Sequence, residues 1–265
     1  MAARTPIRTI LRAAPMAFAA ASLLVPAVSA AQSGIRYGDA VDVGTGIART
    51  YVAYDAGGNA VEVGIALSAE ALTGLPAPVE DSPEMSSASW DLQFPDQAPI
   101  PYWFASVDWN PRGHIPPGIY DVPHFDFHFY LVEPEVRDAI LPDDPDYAVK
   151  SSRAPDATLL PAGYITPPDG TVPRMGTHWI DPSSHEFHGQ PFSHTFIYGS
   201  WDGRLIFFEP MATLALLEGE PDVSIDLVSP EKVEVAGWYP TRYAVRRDSG
   251  SGEIRIALGG LVERN

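Results

Sequence analysis

Residues 123–130 read PHFDFHFY and alternate strictly between polar and phenylalanine side chains after the leading proline. A period of two is the signature of a β-strand, because successive side chains of a strand point to opposite faces of the sheet. One face of this strand carries Phe125, Phe127 and Phe129, and the other carries two imidazoles with a carboxylate between them. We therefore predict a β-rich chain organised around a strand that has one apolar and one ionisable face.

The rest of the chain has the composition of a β protein. It contains 27 Pro and 22 Gly with 11% aromatic residues, which indicates short strands joined by rigid turns rather than disorder. Residues 46–54 and 60–67 predict one hairpin, and residues 239–246 and 253–258 predict another. Residues 99–117, dense in proline and aromatic residues, are predicted to be irregular and packed on the core. The predicted fold is mainly β, an antiparallel β-sandwich or barrel with short helices.

The first thirty residues have the pattern of a targeting segment. Residues 1–30 contain three arginines and no acidic residue, then an alanine-rich apolar run that ends at Val28-Ser29-Ala30. This pattern predicts a cleaved signal peptide, since a membrane anchor needs about 20 strongly apolar residues. We expect residues 31–265 to form a single β-rich domain that is periplasmic or secreted, with no membrane insertion after cleavage.

Charge and cysteine content restrict the partners. The formal net charge is −17, and loss of three arginines with residues 1–30 makes it −20, which disfavours nucleic acid and anionic membranes. The chain has no cysteine, so thiolate metal sites, a cysteine nucleophile and CxxC chemistry are excluded. A secreted chain without disulfides is stabilised by its core, a metal or oligomerisation, and a homo-oligomer is therefore one alternative.

All seven histidines fall between positions 114 and 194. Because imidazole is a common ligand of transition metals and no thiol is present, a metal site would consist of histidines and carboxylates. The predicted ligands are His124, Asp126, His128, His178 and Glu209. On a straight strand His124 and His128 lie about 13 Å apart, so they need a bulge or ligands from other strands. We expect one of the two to converge with His178 and Glu209 in one cavity.

The dipeptide Asp202-Gly203 is a strong signal for a two-residue hairpin turn. With this turn Phe196 is predicted to pair with Glu209, and His194 then lies on the same face as Glu209 at about 7 Å. A carboxylate on an aromatic face is costly unless it has a partner, which supports Glu209 as part of a site.

Second-tier site residues are His194, Tyr130 and Tyr198, the tyrosines as acids beside a metal. The three remaining histidines are predicted to lie at the surface in turns or loops: His114, His185 and His188.

No GxSxG, HExxH, Walker, dinucleotide or calcium-loop motif occurs in the chain. Two functions remain open. The first is an exported protein whose buried His/carboxylate site binds a metal or small ligand without a known reaction. The second is a metal-dependent enzyme acting on a small molecule. In both, the partner is a small molecule or metal ion, and the expected cofactor is a divalent transition metal: zinc, iron, copper or manganese.

Three segments, residues 118–130, 175–179 and 195–211, together resemble an uncharacterised bacterial family of unknown function. That family is typified by a Thermus stress-regulon protein and called TTHB-two-ten-like. The resemblance covers residues 45–220 and implies a β-rich exported protein, with oligomerisation open and no implied activity. A more distant similarity is to cupins, whose barrels hold a metal through an HxH…E…H set. Residues 124–128, with Asp126 between the two histidines, depart from that spacing.

Overall fold

The computed structural model describes residues 34–78 and 88–265, so the predicted signal peptide lies outside the described residues. Within those two segments the strands, numbered in chain order, are β1 (Gly34–Tyr37), β2 (Val41–Val43), β3 (Gly46–Tyr54), β4 (Ala60–Leu67), β5 (Ala88–Gln93), β6 (Phe104–Asn110), β7 (His124–Tyr130), β8 (Thr171–Val172), β9 (Gly176–Trp179), β10 (His194–Trp201), β11 (Arg204–Thr213), β12 (Asp222–Asp226), β13 (Gly237–Tyr239), β14 (Arg242–Arg247), β15 (Ile254–Gly259) and β16 (Val262–Arg264).

Helices are short and lie between strands. The α-helices of the described segments are α1 (Pro134–Asp138), α2 (Tyr147–Ser152) and α3 (Leu214–Glu218), and the 3₁₀ turns are Ala69–Leu72, Ala157–Leu159 and His185–His188. In the described part of the chain, no helix is long and apolar enough to cross a membrane.

Two antiparallel sheets enclose the main core. The first has the order β1-β3-β4-β15-β14-β12 with β2 also paired to β3, and the second has the order β5-β6-β7-β11-β10-β9-β8. Their inner faces share one hydrophobic cluster, to which the first sheet contributes Val52 and Ile65 and the second contributes Phe127 and Phe129. The predicted antiparallel β-rich architecture is confirmed, and the hairpin predicted over residues 46–67 has its strands at the predicted positions.

Strand β7 lies in the interior of the second sheet, between β6 and β11. Its three phenylalanines are fully buried and belong to the main core cluster, as the alternation predicts. The opposite face is buried as well, because His124 and His128 have no exposed surface and Asp126 is 3% exposed. One face of β7 thus packs in the hydrophobic core, and the other face carries buried ionisable side chains.

The prediction that residues 99–117 are irregular is wrong for Phe104–Asn110. These residues form β6, which is buried throughout and pairs with β7 along its length. The sequence itself alternates, since Ser106, Asp108 and Asn110 are separated by apolar residues. Neighbouring prolines and aromatic residues obscured that alternation, although they lie outside the strand.

The predicted register of β10 and β11 is wrong by one residue beyond the turn. Trp201 pairs with Arg204 as predicted, but the register shifts between Gly199 and Ser200, and Glu209 pairs with Ile197 rather than with Phe196. A bulge adds one residue to one strand, and a one-residue shift exchanges the two faces of everything beyond it. The bulge therefore turns Glu209 away from the core and towards the ionisable face of β7.

Candidate functional site

The ionisable face of the second sheet carries two groups of side chains with metal-ligand chemistry. We define the first trio as His128 of β7, His178 of β9 and Glu209 of β11. The second trio consists of His114, His124 and Asp126. In each trio, three potential ligand atoms lie within 4.8 Å of one another. These buried His/carboxylate groups can hold a metal ion.

The first trio places two imidazoles on either side of one carboxylate. Nε2 of His128 lies 3.6 Å from Oε1 of Glu209, and Nε2 of His178 lies 3.5 Å from Oε2 of the same residue. The side chains of His128 and Glu209 are 0% and 2% exposed. Neither Nε2 of His128 nor Oε2 of Glu209 has a hydrogen-bond partner, although both atoms are buried.

Acceptors on the far side of both rings fix which nitrogen faces the carboxylate. Nδ1 of His128 lies 3.0 Å from Oδ2 of Asp108, which also accepts a hydrogen bond from the Ser106 hydroxyl. Nδ1 of His178 lies 2.9 Å from the carbonyl oxygen of Gly170. Because a carboxylate and a carbonyl accept, each Nδ1 carries the proton and donates. The Nε2 atoms are thereby directed at Glu209, which is how neighbouring groups commonly prepare histidines for a metal.

The second trio repeats this arrangement. Nε2 of His124 lies 3.2 Å from Oδ1 of Asp126, and Nε2 of His114 lies 3.3 Å from Oδ2. The Nδ1 atoms donate to backbone carbonyls, that of His124 to Val122 at 2.7 Å and that of His114 to Ile115 at 2.8 Å. Nε2 of His124 and Oδ1 of Asp126 are buried without a hydrogen-bond partner.

The spacing of these atoms fits ligands that share one ion. A tetrahedral ion with bonds of about 2.0–2.1 Å holds its ligand atoms about 3.3–3.4 Å apart. The nitrogen–oxygen distances, measured in each trio to the two different oxygens of its carboxylate, are 3.5 and 3.6 Å in the first trio and 3.2 and 3.3 Å in the second. Two histidines and one carboxylate also leave coordination positions open, as in catalytic zinc and non-haem iron centres.

Electrostatics in the first trio depends on competition between burial and charge. Burial alone would lower the pKa of His128, but the carboxylates of Glu209 and Asp108 outweigh it and raise that pKa to about 9. The pKa of His178 falls to about 4, because the ring is buried and because His128 is positive. Burial raises the pKa of Glu209. Without a metal, a proton on His128 compensates the carboxylates, and a divalent ion can replace that proton.

The second trio is compensated in the same way. Burial disfavours charge on His114, but Asp126 raises its pKa to about 9. The carboxyl pKa of Asp126 lies well below its ordinary value, since His114 and His124 outweigh the effect of burial. Asn110 also donates a hydrogen bond of 2.8 Å to Asp126, which orients the carboxylate.

The packing of Phe207 holds the two rings of the first trio. The Phe207 ring lies 4.9 Å from the His128 ring and 5.2 Å from the His178 ring, measured between centroids. Gly199 makes this position available, because a Cβ atom there would lie 1.9 Å from a ring carbon of Phe207. Tyr130 stacks on His128 at 5.4 Å between centroids.

The predicted site residues do not all converge. The single set His124, Asp126, His128, His178 and Glu209 is divided between the two trios, as the length of β7 between its two histidines requires. The second-tier residues differ in position. Tyr130 adjoins the first trio, but its hydroxyl donates to the carbonyl of Arg174 at 3.4 Å.

The placement of His194 and Tyr198 beside Glu209 is wrong, because the bulge in the β10–β11 hairpin puts them on the opposite face. Nδ1 of His194 lies 2.7 Å from the hydroxyl of Tyr243, and the Tyr198 hydroxyl donates to the carbonyl of Val228 at 3.0 Å. Tyr198 and Tyr243 both belong to the main core cluster. His194 and Tyr198 therefore do not face either trio.

Sequence reasoning missed four residues of this face: Ser106, Asp108, Asn110 and His114. The first three were detectable from their own period of two. His114 was predicted to be a surface residue, but its side chain is only 21% exposed and contacts Asp126. No local pattern marks it, because it reaches the trio from the loop that precedes β7.

One cavity of about 890 Å³ is lined by residues from both trios. His114 and Asp126 line it from the second trio, and His178 lines it from the first. Its other walls are largely apolar and include Trp179 and Ile197.

Comparison with known proteins finds a similarity to one family model over part of the chain. The TTHB210-like family model, described as "Hypothetical protein TTHB210", matches residues 55–109, which confirms over that segment the resemblance recognised in the sequence. The matched segment runs from the turn between β3 and β4 to Trp109 in β6 and includes Ser106 and Asp108. No curated protein and no solved structure matches the chain.

Proposed function

We propose that this is an exported protein that binds a divalent transition metal through His128, His178 and Glu209. The observation that carries the proposal is the unpartnered state of buried Nε2 of His128 and Oε2 of Glu209. Buried polar atoms without a partner cost roughly 1–3 kcal/mol each, so a protein keeps them where a ligand satisfies them. Zinc, iron, copper and manganese all accept this donor set.

Asp108 and the Gly170 carbonyl support the same conclusion. They hold the Nδ1 protons of the two histidines at 3.0 and 2.9 Å, so the rings are oriented before any ion arrives. Partners of this kind typically change metal affinity 10–100-fold.

A second candidate function is metal-dependent catalysis on a small molecule. The cavity of about 890 Å³ reaches His178, and its volume and mostly apolar walls suit a small organic ligand. A bound ion would supply Lewis acidity or an activated water there. Turnover that disappears in a Glu209→Gln variant would favour catalysis, and a thermal shift without turnover would favour binding alone.

Metal loading of the purified protein tests the proposed binding. The protein is incubated with each of the four metals, desalted and measured by elemental analysis. We expect Glu209→Gln and His178→Gln each to lose one equivalent relative to the unmodified protein. His188→Gln is the matched control, because His188 lies outside both trios and contacts the carbonyl of Pro182. Equal loading of Glu209→Gln and the unmodified protein would contradict the proposal.

Export rests on the N-terminal pattern alone, three arginines followed by an apolar run and Val28-Ser29-Ala30. N-terminal sequencing of the protein recovered from a bacterial periplasm tests it. A start at Ala31 supports cleavage, and recovery of the uncleaved chain in the cytoplasm argues against export.

A further inference from the structure

We infer that His114, His124 and Asp126 form a second metal site, separate from the first and loaded independently of it. The donor set is again two imidazole nitrogens and one carboxylate, the set that zinc, iron, copper and manganese accept. The inference goes beyond the proposed function, because it requires no ion at the first trio.

Buried atoms without partners point to a ligand at this position. Nε2 of His124 belongs to a side chain with no exposed surface, and it faces Oδ1 of Asp126 at 3.2 Å without a hydrogen bond. Its Nδ1 proton is held by the carbonyl of Val122 at 2.7 Å. The ring therefore presents its Nε2 atom to a carboxylate oxygen. Such a contact requires a proton or a cation between the two atoms.

His114 completes the site from a different part of the chain. The loop before β7 brings its Nε2 to 3.3 Å from the second oxygen of Asp126, while its own Nδ1 donates to the adjacent Ile115 carbonyl at 2.8 Å. Asn110 donates to Asp126 at 2.8 Å from the neighbouring strand. Both carboxylate oxygens and both histidines are thus oriented before binding.

The two trios hold separate ions rather than one bridged pair. They share no residue, so no carboxylate links them. Asp126 and His128 are successive residues on one face of β7, a spacing of about 6.6 Å, whereas bridged two-metal centres place their ions about 3.5–4 Å apart.

The second site is also the more open of the two. The His114 side chain is 21% exposed, whereas the most exposed member of the first trio, His178, is 13% exposed. Two members of the second trio line the cavity, against one of the first. We therefore expect the ion at His114 to exchange faster with solvent and to be the one nearest to a ligand in the cavity.

Zinc stoichiometry in single variants of the full chain tests the inference. After loading with Zn²⁺ and desalting, we expect two equivalents in the unmodified protein, one in His114→Gln, one in His178→Gln and two in the His188→Gln control. A chelator should release zinc from the unmodified protein in two phases. The fast phase should be absent from His114→Gln, and the slow phase from His178→Gln.

The outcomes separate the two sites. One equivalent that His178→Gln abolishes and His114→Gln retains overturns the second site and leaves the proposed function intact. The opposite result overturns the proposed function and supports the second site. Circular dichroism verifies folding of each variant, and titration of the unmodified protein with Co²⁺ provides a measurement without mutation. Saturation of the cobalt absorption after one equivalent would overturn the second site.

Discussion

The two faces of β7 are equally buried and chemically opposite. Phe125, Phe127 and Phe129 have no exposed surface, and neither do His124 and His128 on the other side of the same strand. Burial of apolar side chains lowers the free energy of the folded state. Burial of an ionisable group raises that free energy unless the group finds a partner. Burial by itself therefore does not distinguish core from site. The two faces differ in what their buried side chains need. Apolar side chains need only packing contacts, whereas ionisable side chains need a hydrogen-bond partner or an opposite charge.

The pKa shifts of two histidines illustrate this difference. The pKa of His194, on the core side of the sheet, falls to about 4, because burial disfavours its charged form and the neighbouring His185 lowers the pKa further. The pKa of His128, on the ionisable side, rises to about 9 against burial, because Glu209 and Asp108 stabilise its charged form. The carboxylates beside His128, which His194 lacks, account for the opposite directions of the two pKa shifts.

The largest effect on stability is expected on the core face. Phe127→Ala removes a fully buried ring from the cluster shared by the two sheets and should lower the free energy of unfolding by about 3–5 kcal/mol. Urea unfolding of the metal-free protein measures it, with Phe127→Leu as a milder matched change. A loss below about 1 kcal/mol would mean that this face does not carry the fold.

Gly199→Ala should affect both stability and metal binding, with an intermediate effect on the unfolding free energy. The new methyl group would lie 1.9 Å from a Phe207 ring carbon, so the ring between His128 and His178 must move. We expect a loss of about 1–3 kcal/mol in unfolding free energy, as for overpacked cores, together with weaker metal binding. Thermal unfolding and competition with a chelator measure the two effects. Gly219→Ala is the control, because its nearest atoms lie 3.4 Å or more from the added carbon. Unchanged stability and affinity in Gly199→Ala would argue against this packing.

The smallest effect concerns His194 and is seen only in acid. Since its folded pKa of about 4 lies below the ordinary value of 6.5, unfolded chains bind the proton first as the pH falls. His194 therefore does not make the unfolding free energy depend on pH above about 6.5. As the pH falls from about 6.5 towards 4, the unfolding free energy decreases progressively. Discounted for its partial exposure, the loss is about 1–2 kcal/mol.

His194→Gln should remove this component. The unfolding free energy of the variant, compared with that of the unmodified protein, should improve by about 1–2 kcal/mol between pH 7 and pH 4.5. The measurement is urea unfolding of both proteins at the two pH values. A difference between the proteins that stays constant with pH would contradict the assignment.

Local patterns in the sequence were sufficient for several features. The strict alternation of residues 123–130 predicts β7 and the contents of each face, and the turn at Asp202-Gly203 predicts the β10–β11 hairpin. Periodicity and turn chemistry are properties of neighbouring residues, so one chain read in order contains them. The lack of cysteine likewise restricted any transition-metal site to histidines and carboxylates.

Only the tertiary structure decided which of those residues meet. The bulge near Gly199 reverses the face of Glu209, and no turn signal encodes it, because it depends on how β11 packs between two other strands. His114 reaches Asp126 from a loop, and His178 reaches Glu209 across β10. The sequence by itself therefore determined the strand and the kinds of donor atoms it carries. Long-range pairing divided them into two trios, since ligands converge in space through contacts that are distant along the chain.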